Sequence, residues 1–343
     1  RRKRERSNRE TIYLPLPNGR DSRAAHDQNR PVHTMTTPEL QRQWLGRLIR
    51  LNPATGRDSC RGKAPHKPLL LLSLLDMVEA GELTQRTFTR SPGLVLRFRT
   101  YGALVGDRWP ARLDIKMPFY YLKSQRVWSV WSMDMTPALS PESCALCELD
   151  EHFFAAMMDA DFRLKSRLLL ISTYFTRAEQ VALLESMGLS QFRHETNARQ
   201  AEAVAEAEQA AKKKGRSARF SVQIVSRYKF TCALTGLCCV TADGTAIVDA
   251  AHIDPWAKSR DDQLTNGLAL SKNAHWTFDQ GLWSVRNDGR IIVARERFTE
   301  EGPDLLRLAF HVARLLQFAP GVTLRPDPQY FARHREHHGL GSM

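Results

Sequence analysis

Residues 251–281 read AHIDPWAKSRDDQLTNGLALSKNAHWTFDQG, with His252, then Asn266, then His275 spaced fourteen and nine residues apart. The segment leading in, TAIVDAAHI, has the β-branched, apolar pattern of a strand ending at His252. Ser271 to Phe278 reads as a short helix, and the polar stretch between, which contains Asn266, reads as a loop. A hairpin follows across RNDG in LWSVRNDGRIIVA, where Asp288-Gly289 is the turn signal. A strand, a loop and a helix in this order restrict the local fold strongly, because His275 then faces back toward the strand end that carries His252.

Imidazoles so placed suit phosphodiester hydrolysis, which needs a base for water and a cation for the charge building on phosphorus and on the leaving 3′ oxygen. His252 can offer one ring nitrogen to water if a neighbour fixes the other. Asn266 is the residue type to hold the loop or to orient that histidine. A neutral His275 can ligate a divalent ion.

The same stretch, with YKFTCALTG before it and DPQYFARHREHH after it, resembles the HNH, or ββα-metal, nucleases of bacterial restriction systems over most of Phe220 to His338. The resemblance implies His252 as general base, Asn266 as the middle residue of the triad, His275 as metal ligand, and Mg2+ or Mn2+ as the ion. Many such sites carry an acidic ligand just before the first histidine, where this chain has Ala251. Asp249, two residues back on the strand, and Asp279, one turn after His275, are the carboxylates that could replace it. Asp279 could equally cap or buttress its helix without touching metal.

Earlier in the chain, RGKAPHKPLLLLSLLD and, some fifty residues on, MPFYYLKSQRVWSV are similar to the sulfur-binding domain of restriction enzymes that recognise phosphorothioate DNA. Sulfur is larger, softer and less hydrated than the backbone oxygen it replaces, so an apolar cup with cations at its rim favours it. The resemblance implies Pro118, flanked by Met117 and Phe119, as the wall of the cup, with Arg61, His66 and Lys67 as donors at a helix start. Two departures stand out: Met117 lies where the family often has an aromatic residue, and SPESCALCELD replaces an expected glycine-rich loop.

The 343 residues are long enough for two domains, and the formal charge of +13 favours nucleic acid as partner. The longest apolar run, around Leu69 to Leu75, is far short of the roughly 20 residues a membrane crossing needs. Of the six cysteines, Cys144 and Cys147 have zinc-ligand spacing, but no second pair completes the set, and structural zinc is not expected. The start shows no signal-peptide pattern, so a reducing cytoplasmic setting, bacterial by resemblance, is expected.

The expected fold class is α+β in two domains: a mixed α/β DNA-reading domain over 35–176 and a ββα-metal nuclease domain over 219–343. Residues 177–218, rich in Ala, Glu, Gln and Lys, read as a helical, charged linker that keeps the two apart. Residues 1–34 read as a disordered basic arm or an extension outside the native start. Within the first domain, Leu94–Val105 and Phe119–Val130 show strand-like alternation. The function these readings converge on is modification-dependent cleavage of double-stranded DNA. The alternatives are a nuclease reading a methylated base, or a DNA-binding protein without catalysis. A homodimer is attractive because one such site cuts one strand, yet no interface is legible.

Overall fold

The structure is a computed structural model that describes residues 37–56, 60–111, 113–192 and 201–340, with backbone alone over 201–207. The expected basic extension, 1–34, lies outside the described residues. Among the described residues no helix is long and apolar enough to cross a membrane.

The first core forms around α2 (His66–Glu79), preceded by α1 (Thr37–Ile49). Leu69 to Leu72, Leu74 and Leu75 are all buried, because α2 is covered on every side rather than on one stripe. A short strand, β1 (Thr87–Thr89), leads to α3 (Pro92–Ala103) and α4 (Lys116–Tyr121). Next come β2 (Trp128–Trp131) and β3 (Leu146–Leu149), and the three strands make an antiparallel sheet in the order β1-β3-β2. Three helices close the layer: α5 (Glu151–Met158), α6 (Ala160–Tyr174) and α7 (Arg177–Ser186).

Both strand-like stretches of this domain are corrected. Leu94–Val105 is mostly helix α3, started by Ser91, whose hydroxyl accepts from the Leu94 amide at 3.4 Å, with Pro92 in the first turn. Leu94, Phe98, Tyr101 and Val105 recur at helical spacing and are buried, and this outweighs the alternation of six residues that imitates a strand. Arg97, 3% exposed, is neutralised by Asp76 at 2.6 Å and Glu82 at 2.8 Å, so α3 docks on α2 with a paired charge. In the second stretch Phe119–Tyr121 ends α4, Arg126 adopts a left-handed conformation, and the strand begins only at Trp128.

The segment expected as a linker is helical but does not hold the cores apart. Val181 to Leu184 of α7 are buried in the first core. A continuous 27-residue helix, α8 (Ala201–Arg227), follows. Ala211 and Ala218 belong to the first core, whereas Phe220, Ile224 and Val225 belong to the second. At Gly215 a Cβ would lie 2.4 Å from the Ala182 carbonyl, so the two helices touch at backbone distance. α8 is therefore a strut shared by both cores.

The second core contains the hairpin of β4 (Val248–His252) and β5 (Gly267–Ser271), joined through α9 (Trp256–Ser259). It continues with α10 (Lys272–Asp279), the hairpin of β6 (Trp283–Val285) and β7 (Ile291–Val293), and α11 (Pro328–His337). Gly289 takes φ +81° at the Asp-Gly turn between β6 and β7. In α11 the buried His334 stacks on Phe278 of α10 at 3.9 Å. Burial and the neighbouring His338 push the His334 imidazole down to about 3, and it acts as a neutral packing group.

Candidate active site and DNA-reading surface

His252 ends β4, where the chain leaves the sheet. Its Nε2 donates to Asp262 Oδ1 at 2.9 Å, since a carboxylate can only accept. The lone pair is then on Nδ1, the nitrogen left for a water molecule. Phe220 of α8 lies flat against the ring, 3.8 Å between centroids and 4° between planes, and fixes its plane. Asp262 is absent from the set expected from sequence. It is one of two adjacent aspartates in a polar loop, and only the folded loop shows which of them reaches the imidazole.

Asn266 is wholly buried and does not bond His252. Its Oδ1 accepts from the Asp254 amide at 2.8 Å, and its Nδ2 donates to the carbonyls of Asp254 and Asp261 at 3.1 and 3.0 Å. The side-chain amide thus ties both ends of the loop that presents Asp262. Tyr330 of α11 donates to Asp261 Oδ2 at 2.5 Å, a second anchor from 69 residues away. Burial and that carboxylate push the Tyr330 phenol up to about 12.

His275 sits mid-helix on α10 with Asp279 one turn on, His275 Nε2 lying 3.5 Å from Asp279 Oδ2. The other carboxylate candidate, Asp249, is paired with Lys272 instead. Ala251 is fully buried against the core, so its position offers no side chain to an ion. Among the described residues no three His, Cys, Asp or Glu side chains converge on one cation position. The donors that do stand together, one imidazole and one carboxylate at 26% and 58% side-chain exposure, suit a hard divalent ion that keeps several waters. They do not suit a closed tetrahedral site.

On the first domain, His66 opens α2, half-buried and edge-on to Trp109 at 5.7 Å. Burial lowers its imidazole below the usual value, against the pull of Asp114. Lys67 Nζ donates to the Asn52 carbonyl at 2.8 Å, and burial lowers its ammonium as well. Arg61 is exposed, in a loop held by Arg108, whose Nη1 donates to the carbonyls of Arg61 and Lys63 at 3.2 and 2.6 Å.

α4 packs on α2 and brings Met117 to the same part of the domain. Met117 is 44% exposed and Pro118 is buried behind it. Phe119 is corrected: it is 0% exposed, packed against Phe88 at 5.5 Å and Trp128 at 6.4 Å, and cannot touch a ligand. Tyr121, also 44% exposed and one helical turn after Met117, is the second apolar side chain on the open face of α4. Its i, i+4 relation to Met117 becomes readable only once this stretch is known to be helical.

The family described as HNH endonuclease matches residues 232–286, which contain His252, Asp262, Asn266 and His275. The family described as ScoMcrA-like, DNA sulfur-binding domain matches residues 41–192. Among solved structures, a modification-dependent TagI restriction endonuclease is 21% identical with a TM-score of 0.28, over 35% of this chain and 37% of that one. The sulfur-binding domain of SprMcrA complexed with phosphorothioated DNA is 20% identical with a TM-score of 0.33, over 46% of this chain and 99% of that one. The chain thus spans little more than a third of the TagI enzyme's length. No curated protein matches the sequence. In one polypeptide, the chain joins a ScoMcrA-like DNA sulfur-binding domain to an HNH endonuclease domain.

Proposed function

We propose that the protein is a modification-dependent DNA endonuclease whose first domain binds phosphorothioate DNA and whose second hydrolyses a phosphodiester bond nearby. The observation that carries the reading is the oriented His252, with a free Nδ1, inside the matched nuclease segment of a chain that also carries the matched sulfur-binding domain. In this reading Met117 and Tyr121, backed by Pro118, supply the apolar contact to sulfur. His66, Lys67 and Arg61 meet the phosphate charge. The setting is the bacterial cytoplasm, where such an enzyme would act on foreign modified DNA.

His252 Nδ1 takes a proton from the attacking water, and Asp262 steadies the imidazolium that forms through the Nε2 hydrogen bond. Asn266 holds the loop that keeps Asp262 in place. His275 and Asp279 are the residues that would hold a divalent ion, with Mg2+ or Mn2+ the ions of fitting chemistry. Bound there, the ion neutralises charge on the scissile phosphate and on the leaving 3′ oxygen.

The test incubates the full chain with a duplex carrying one phosphorothioate, with its unmodified twin and with a methylated twin, in Mg2+, Mn2+ or EDTA. Cleavage of the modified duplex only, and only with metal, is the expected result. Equal cutting of both duplexes overturns the sulfur reading, cutting only of methylated duplex selects a base reader, and binding without cutting overturns the nuclease.

The role of Asp262 has its own test. Asp262→Asn should lower kcat about tenfold to a hundredfold while KM and the thermal midpoint stay unchanged, as for other carboxylates that orient an imidazole. Asp262→Glu should recover part of the loss. A parental kcat in Asp262→Asn would remove the carboxylate from the mechanism.

A further inference from the structure

Besides the shared helix α8, the nuclease domain meets the reader at a tight turn, Thr241-Ala-Asp-Gly-Thr245, which closes with the Thr241 amide donating to the Thr245 carbonyl at 2.9 Å. Gly244, at φ +84°, lies against α3: a Cβ there would fall 2.6 Å from Val95 Cγ2 and 3.2 Å from the Arg90 carbonyl. Only glycine permits both the left-handed backbone and this approach. The turn thereby places Asp243 against Arg99 of α3, with Asp243 Oδ2 2.9 Å from Arg99 Nη2. The second guanidinium nitrogen, Nη1, donates to the Thr245 hydroxyl, and the hydroxyls of Thr241 and Thr245 both donate to Asp243 Oδ1. The Thr241 hydroxyl first, then the Thr245 hydroxyl and Arg99, hold the carboxyl well below the usual range, at about 2.

This contact borders a cavity of about 250 Å³ whose charged lining is Arg90, Arg99, Lys116, Asp114 and Asp243 itself. Three cations therefore face two carboxylates, and Asp114 is already engaged, its Oδ1 accepting from the Lys116 amide at 2.9 Å. Among the described residues no carboxylate lies within ion-pair distance of Arg90 or Lys116. Arg90 donates to the Cys144 carbonyl at 2.7 Å and rests over the Phe119 ring, so its guanidinium is held rather than free to swing. Lys116 directly precedes Met117 on α4, which puts the cavity beside the exposed face assigned above to DNA.

We propose that Arg90, Arg99 and Lys116 form a subsite of the reader for an ordinary backbone phosphate of DNA, and that Asp243 of the nuclease domain occupies it in the free protein. The inference rests on the reading that the first domain binds DNA, and it adds a partner for three cations which that reading leaves unused. A carboxylate held by a guanidinium offers the same paired oxygens as a phosphodiester, so the two compete for Arg99. DNA entering the subsite displaces the turn, and engagement of the reader is felt directly by the nuclease domain.

The experiment measures binding of the full chain to modified and unmodified duplexes by fluorescence anisotropy across a range of salt. Asp243→Asn keeps the size of the side chain and one of its two acceptor oxygens while removing its charge. Affinity for both duplexes should rise about twofold to fivefold, the scale of one exposed ion pair. The slope of log K against log salt should steepen by about 0.9, the signature of one added phosphate contact. Adding Arg99→Ala should cancel both gains. Unchanged affinity and slope in Asp243→Asn, with an unchanged thermal midpoint, would overturn the proposal. So would gains that persist after Arg99→Ala, because they would reflect net charge alone. A parental chain that binds both duplexes equally would count against sulfur recognition and leave this test readable, since its signal appears on unmodified DNA too.

Discussion

His252→Ala is expected to slow single-turnover cleavage of a phosphorothioate duplex by about 10²- to 10⁴-fold, the range a positioned general base supplies. The dissociation constant for the same duplex should stay within about twofold, because proton abstraction contributes to the barrier and not to ground-state affinity. The structure sharpens this separation. His252 is stacked on Phe220 and bonded to Asp262, both of them nuclease-core contacts, whereas the groups assigned to sulfur and phosphate lie on α2, α4 and the loop before α2. Removing the imidazole uncovers one face of Phe220 without touching the reader. His252→Gln is the companion variant, since it keeps a hydrogen-bonding group toward Asp262 but has no ring nitrogen for water. Loss of cleavage in both variants, with anisotropy unchanged, is the expected pattern. Cleavage at the parental rate in either would show that another group activates the water.

How far the sequence disclosed this site depended on how local each contact is. His252, Asn266 and His275 fall within one strand, loop and helix, so their spacing reads directly as local structure. Asp262 escaped because Asp261 and Asp262 are equivalent as letters. The fold separates them, sending Asp261 to Tyr330 at the far end of the chain and Asp262 to His252. Asn266 was legible as a residue type but not in its choice between holding the loop and orienting the base, and its three bonds select the loop.

In the first domain the same rule explains the errors. Adjacency groups Phe119 with Pro118, yet Phe88 and Trp128, on separate strands, decide that it faces inward. α3 imitates a strand where LVLRFR alternates, although Ser91-Pro92 is a helix start and Leu94, Phe98, Tyr101 and Val105 keep helical period. The charged composition of α8 resembles a tether because its polar face is read as easily as its buried one. Only the packing of Ala211 and Ala218 on one core and Phe220 and Ile224 on the other shows a strut.

Loss of the Asn266 anchor is the second large effect. Asn266→Ala removes an acceptor for the Asp254 amide and two donors for the Asp254 and Asp261 carbonyls, all at a wholly buried position. Leaving such groups unpaired should cost about 2–5 kcal/mol of nuclease-domain stability, more than one lost surface contact ever does. Cleavage should fall about a hundredfold even at temperatures where the domain is folded, because Asp262 is no longer presented to His252 at one distance. Asn266→Asp tests the cause, for it restores the acceptor to the Asp254 amide but sets a carboxylate against two carbonyls. It should therefore be no more active than the alanine variant. Amide exchange should quicken from Asp254 through Gln263 in both variants, while α2 and α4 of the reader exchange as before. Binding of the phosphorothioate duplex should be retained in both. A variant in which the loop exchanges freely but His252 still cleaves at the parental rate would break the link from Asn266 through Asp262 to the base. His252 would then be oriented by the Phe220 ring alone.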